Sequence, residues 1–72
     1  MCENVMFKRL LRQDAYRSMQ TNLNAAKSAI KVALELADKG DLRGAAETTR
    51  VASDAFLRAA GAKDNYESLE GY

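Results

Sequence analysis

The side chains that could carry a reaction are scarce in this chain. Among its 72 residues there is no histidine and one cysteine, Cys2. A nucleophilic triad needs a base beside its nucleophile. Without histidine that base would have to be a lysine or a carboxylate on a helix surface, in a chain too small to fold around a deep cleft. The chain is therefore expected not to be an enzyme. Structural zinc takes cysteine and histidine ligands, so neither a metal site nor another cofactor is expected. Glu35, Asp38 and Asp41 lie close along the chain, but their plainer roles are pairing and capping, with Lys31, Glu35 and Lys39 spaced by four. Gly40 and Gly44 flank a helix start. They lack the lysine and the spacing of a phosphate-binding loop, and Asp41 stands where an anion would sit.

The remaining charged groups suit binding better than chemistry. Lys8, Arg9, Arg12 and Arg17 gather beside Phe7, Leu10 and Leu11. A basic stretch with such an apolar edge could contact nucleic acid or, as a weaker alternative, an anionic membrane surface. Further on, Arg43, Glu47, Arg50, Asp54 and Arg58 alternate in sign at spacings of three or four, the pattern of a solvated helix face. The whole chain carries a formal net charge of +1, which excludes a bulk polyelectrolyte.

Helices must position these groups. Proline is absent and strong β-formers are sparse, while Ala, Leu, Lys, Arg, Glu and Met are plentiful, so intrinsic propensity favours helix nearly everywhere. Glycine supplies the punctuation. Gly40 and Gly61 each follow a run of helix formers, as a left-handed stop residue does. Asp41 follows Gly40 directly and can cap the next helix. The expectation is an all-α fold: an antiparallel hairpin of helices over about 22–38 and 42–60, joined by a tight turn.

The apolar faces of these helices are wide. Leu23, Ala26, Ile30, Ala33 and Ala37 step by three and four along one helix, with Ala25, Ala29, Val32 and Leu36 beside them. At 100° per residue that arc spans on the order of 200°. In the next helix Leu42, Ala45, Thr49, Ala52, Phe56 and Ala59 form the main stripe. One neighbour requires an apolar arc of about 100° or slightly more, so each helix is expected to touch two. Self-association into a helical bundle, most simply a homodimer, is expected along Leu23, Ala26, Ile30, Ala33, Ala37, Ala52, Phe56 and Ala59.

Before the hairpin, residues 4–18 read as an amphipathic N-terminal helix capped by Asn4, with Met6, Phe7, Leu10, Leu11 and Ala15 on its apolar side. One straight helix over 4–38 would align Lys8 and Arg12 with Leu23, Ile30 and Ala37, which places charge over the buried seam. Either the helix breaks near Gln20, Thr21 and Asn22, which is the favoured expectation, or its first third leaves the hairpin and meets a different surface. Residues 61–72 read as an acidic tail following a single domain of residues 1–60. Tyr66, Leu69 and Tyr72 recur there every third residue and could form an apolar edge.

Size makes association more than incidental. The apolar residues are mostly alanine, thirteen against eight Leu, three Val, one Ile and two Phe. Below about 70 to 80 residues a single core seldom supplies more than roughly 3 to 5 kcal/mol. No second cysteine is present for an internal disulfide, and a lone thiol fits a reduced, cytoplasmic protein. No run of about 18 apolar residues offers a membrane span. Glu3, Lys8 and Arg9 interrupt the apolar segment that a signal peptide would need.

Gly40, Asp41 and Leu42, followed by Ala45, Ala46 and Ala52, resemble the turn and second helix of tetratricopeptide units. The likeness covers about thirteen residues in a single unit, where a stable array needs about three; the first helix lacks that family's aromatic and glycine landmarks. In outline the chain is also similar to the short helical-hairpin dimers with which plasmids bind paired RNA loops, but no motif is shared. Neither resemblance transfers a function. The residues themselves favour a non-catalytic module that regulates, adapts or inhibits a larger protein partner. Its anchors would be Met6, Phe7, Leu10, Leu11, Tyr66, Leu69 and Tyr72, since aromatic residues dominate interface energy. The alternative is a hairpin dimer that binds nucleic acid through Lys8, Arg9, Arg12 and Arg17.

Overall fold

An almost unbroken supply of helix formers gives two helices, α1 over Cys2–Asp38 and α2 over Leu42–Ser68. The structure is a computed structural model that describes residues 2–70, with side chains from residue 5 onward. The helices pack against each other as a hairpin 58 Å long and 13 × 12 Å across, and no strand occurs among the described residues.

The reversal between them is built by four backbone groups and one carboxylate. Gly40 takes φ +86°, in the left-handed region where a Cβ would be strained. Its N–H donates to the Ala37 carbonyl at 3.0 Å, and the Asp41 N–H donates to the Leu36 carbonyl at 2.9 Å. This pair of bonds is a Schellman closure, which satisfies carbonyls that the end of α1 would otherwise orphan. Asp41 then caps α2, its Oδ1 accepting the Gly44 N–H at 2.9 Å. One residue thus closes α1 through its backbone and opens α2 through its side chain.

Burial reveals how the helices meet. Along α1 the buried or half-buried positions include Lys8, Arg12, Ala15, Met19, Asn22, Ala26, Ala29, Ala33 and Leu36. Along α2 they include Ala45, Thr48, Ala52, Ala55, Ala59, Ala62, Tyr66 and Leu69. Both series step alternately by three and four, a 3.5-residue period. At that spacing two helices keep one face together by winding left-handedly around each other. The buried residues are Ala15, Ala26, Ala33, Ala52, Ala55, Ala59 and Ala62, of which Ala26, Ala52 and Ala55 are almost completely enclosed. Alanine faces allow helix axes to approach at the short end of the roughly 8–10 Å range.

Three expected boundaries change. Residues 4–18 are helical but belong to α1, which passes through Gln20, Thr21 and Asn22 without a break. The charge conflict that suggested a break is resolved in two ways. The buried line runs through Ala26 and Ala33, leaving Ile30 and Ala37 exposed on its flank. Arg12 does lie on the seam, but there it meets an aromatic partner on α2, Tyr66. At the other boundary α2 continues past residue 60 through Gly61 to Ser68. Gly61 has no positive φ and open space where a Cβ would stand, so it does not stop the helix. Residues 61–68 of the expected tail are consequently part of the hairpin, with Ala62, Tyr66 and Leu69 on the seam.

Candidate functional site

The alanine seam leaves the larger apolar side chains outside, and this divides the surface into three regions. On one flank Ile30 of α1 and Phe56 of α2 border a shallow apolar groove with Thr49, Ser53, Leu57 and Ala60. Ile30 is 37% exposed, Phe56 42% and Leu57 69%. Leu23 lies on the same flank one heptad before Ile30 and is half-buried. The expected self-association set therefore separates: Ala26, Ala33, Ala52 and Ala59 are used within one hairpin, whereas Leu23, Ile30, Phe56 and Ala37 lie outside the buried line.

The opposite flank is polar. Asn22 anchors it, its Nδ2 donating to the Ser18 carbonyl at 2.9 Å while its Oδ1 accepts from Arg58 Nε at 3.0 Å. The second bond crosses from α2 to α1 and draws Arg58 out of the alternating strip. Arg43, Glu47, Arg50 and Asp54 are exposed along α2.

The open end of the hairpin holds the third region. Arg12 Nη2 donates to the Tyr66 hydroxyl at 3.0 Å, and the guanidinium carbon stands 4.5 Å from the Tyr66 ring centroid. Tyr16, one turn after Arg12, packs its ring 5.6 Å from that of Tyr66 at an interplanar angle of 51°, a tilted arrangement favoured by the ring quadrupoles. Arg9, Gln13 and Arg17 complete a cleft with these three residues. Among the described residues no carboxylate lines it.

The remaining expected contacts are dispersed. Met6 and Phe7 are more than 60% exposed on the first turns of α1, and Leu10 and Leu11 are also exposed. Tyr66 and Leu69 are half-buried on the seam and do not form a separate apolar edge. Tyr72 lies outside the described residues. Of the four basic residues, Lys8 and Arg12 are half-buried, while Arg9 and Arg17 are exposed. Tyr16 and Gln13 were absent from the expected contacts. Their spacing from Arg12, Arg9 and Arg17 by four residues was the available signal, because it places all five on adjoining rows of one helix.

Among the described residues no three of His, Cys, Asp and Glu are grouped to hold a metal ion, and no helix is long and apolar enough to cross a membrane. No protein-family model matches the chain, and neither does any curated protein or solved structure.

Proposed function

We propose that this chain is a non-catalytic protein-binding module: a hairpin that assembles with a second copy of itself and regulates, adapts or inhibits a larger protein through its helical surfaces. The observation that carries this proposal is the inversion of residue sizes. Every buried core residue is alanine, while Phe7, Leu10, Leu34, Leu42, Val51, Phe56 and Leu57 are all exposed. Burial of a Val, Leu, Ile or Phe side chain is worth about 1.5–3 kcal/mol, so most of the apolar free energy in this sequence is left unused by one hairpin.

The surface area points the same way. A compact monomer of this mass, 7.9 kDa, exposes roughly 4,400 Å² by the usual scaling. This chain exposes 5464 Å². The excess of about 1,000 Å² resembles the roughly 800 Å² that each partner covers in a standard interface. The groove flank supports a second copy as the first occupant, because Ile30 and Phe56 come from different helices and a two-fold axis would match each with its counterpart. A pair of hairpins joined there is a four-helix bundle. The exposed first turns of α1, with Met6, Phe7 and Leu10, are then left for the larger partner. A lone cysteine supports a reducing, cytoplasmic setting for this work.

Sedimentation of the wild-type chain and of Ile30→Asp and Phe56→Asp variants at micromolar concentration tests the assembly. A wild-type dimer and monomeric variants are expected, since each aspartate would put an unpaired charge into the interface. A wild-type chain that sediments as a folded, cooperative monomer would exclude the bundle.

A further inference from the structure

We infer that the cleft at the open end of the hairpin binds single-stranded nucleic acid, with Tyr16 as the base-stacking surface and Arg9 and Arg17 as the phosphate contacts. The inference does not rest on the assembly proposed above: Tyr16 lies two heptads before Ile30 on the same flank, about 21 Å along α1 toward the open end of the hairpin.

The cleft combines the two chemistries that an unpaired strand requires. Two exposed guanidiniums, Arg9 and Arg17, line it, and no carboxylate is among its described lining residues. Aromatic side chains give a strand a platform that tolerates any base, because each base has a π-face. Tyr66 is the inner ring, held by Arg12 through a 3.0 Å hydrogen bond and by contact with the guanidinium 4.5 Å from its centroid. Tyr16 is the outer ring, packed on Tyr66 with 48% of its surface still exposed. A ring braced from behind and open in front loses little freedom when a base stacks on it.

Spacing distinguishes the ligand. Arg17 adjoins Tyr16 in the chain, whereas Arg9 lies seven residues before it, about 10 Å along the axis at 1.5 Å per residue. A strand whose base stacks on Tyr16 therefore meets Arg17 at the phosphate beside that base and Arg9 further along its backbone. Gln13 lies between them and presents an amide able to donate to or accept from a base edge or a sugar hydroxyl. A duplex keeps its bases stacked internally and would leave Tyr16 without a role. An acidic peptide would satisfy the arginines but supply no planar group for the ring.

Fluorescence anisotropy with the full chain and a labelled single-stranded oligonucleotide tests this directly. Binding is expected at about 50 mM salt, weakening with a log–log salt slope of roughly −1.4 for two phosphate contacts on a single strand. Arg9→Gln and Arg17→Gln should each reduce the magnitude of that slope by about 0.7. Tyr16→Leu should weaken binding roughly 5- to 150-fold, the equivalent of about 1–3 kcal/mol per stacked base, while leaving the salt slope unchanged. Circular dichroism of each variant confirms that the hairpin is intact, as the exposure of all three side chains leads us to expect. The inference is overturned if the strand does not bind at low salt or if Tyr16→Leu binds as well as wild type. It is likewise overturned if duplex, polyglutamate or inorganic phosphate competes as effectively as unlabelled single strand.

Discussion

Replacing Ala52 with leucine would place three additional carbons where the hairpin has no space for them. Ala52 is 0% exposed, and so is Ala26 on the opposing helix. Filling a closely packed contact costs typically about 1–3 kcal/mol, because neighbours must leave their rotamers or the backbones must separate. That is a large share of the roughly 3 to 5 kcal/mol that a core of this size supplies. For a domain of this length each kcal/mol moves the melting temperature by about 4–8 °C, so a fall of roughly 4 to 24 °C is expected. A loosely packed seam gives the opposite sign. Three methylene equivalents buried at about 0.8 kcal/mol each would then stabilise by roughly 2 kcal/mol. Thermal unfolding followed by circular dichroism, at two protein concentrations and with sedimentation of the variant in parallel, separates the outcomes. Ala46→Leu, at an exposed position of the same helix, serves as the control and should change stability by no more than about 0.5 kcal/mol. An Ala52→Leu chain with unchanged assembly that melts at or above the wild-type temperature would refute close packing of alanine as the basis of the fold.

Gly40, just before α2, and Gly61, within it, should respond in opposite directions to alanine. Gly61→Ala is expected to raise stability by about 0.5–1 kcal/mol, since its position is helical with open space for a Cβ; a lower melting temperature would show that Gly61 is needed as glycine. Gly40→Ala is expected to lower stability by about 1–2 kcal/mol, the cost of a left-handed residue bearing a Cβ, because φ there is +86°; unchanged unfolding in denaturant would argue against the Schellman turn. Asp41→Ala should cost about 0.5–2 kcal/mol through loss of the cap on α2, and Asp41→Asn should recover most of it, since the Gly44 N–H needs an acceptor and not a charge. Equal losses in the two variants would mean that the carboxylate acts in some other way.

The sequence and the structure agree most closely where a local interaction decides the outcome. Gly40 and Asp41 mark the turn because a left-handed residue and an N-terminal cap are properties of a few neighbouring atoms. Gly61 shows the limit of the same signal. A glycine after helix formers permits a stop, but Ala62, Tyr66 and Leu69 continue the seam for two more turns, and their packing against α1 outweighs a propensity cost of about 1 kcal/mol. The buried faces were partly visible. Ala26, Ala33, Ala52 and Ala59 lie on the expected stripes, but larger side chains gain more from burial, so periodicity alone centres those stripes on Leu23, Ile30 and Phe56. Close approach selects for the opposite quality. A smaller side chain on the seam lets the backbones come nearer, so the 3.5-residue series from Ala15 onward was the better guide.

Composition and local spacing are enough to make the chain helical, to reverse it at Gly40 and to exclude both a disulfide within the chain and a histidine-dependent triad. These follow from backbone propensity and from which atoms are present. Which of two adjoining apolar stripes faces the partner helix is set by the packing of the pair, since both satisfy helical periodicity and the choice depends on how closely two axes can approach. The same packing joined Arg12 and Tyr16 to Tyr66, 54 residues beyond Arg12 in the chain. Their meeting depends on the register of α1 against α2, a property of the assembled pair that neither helix carries alone.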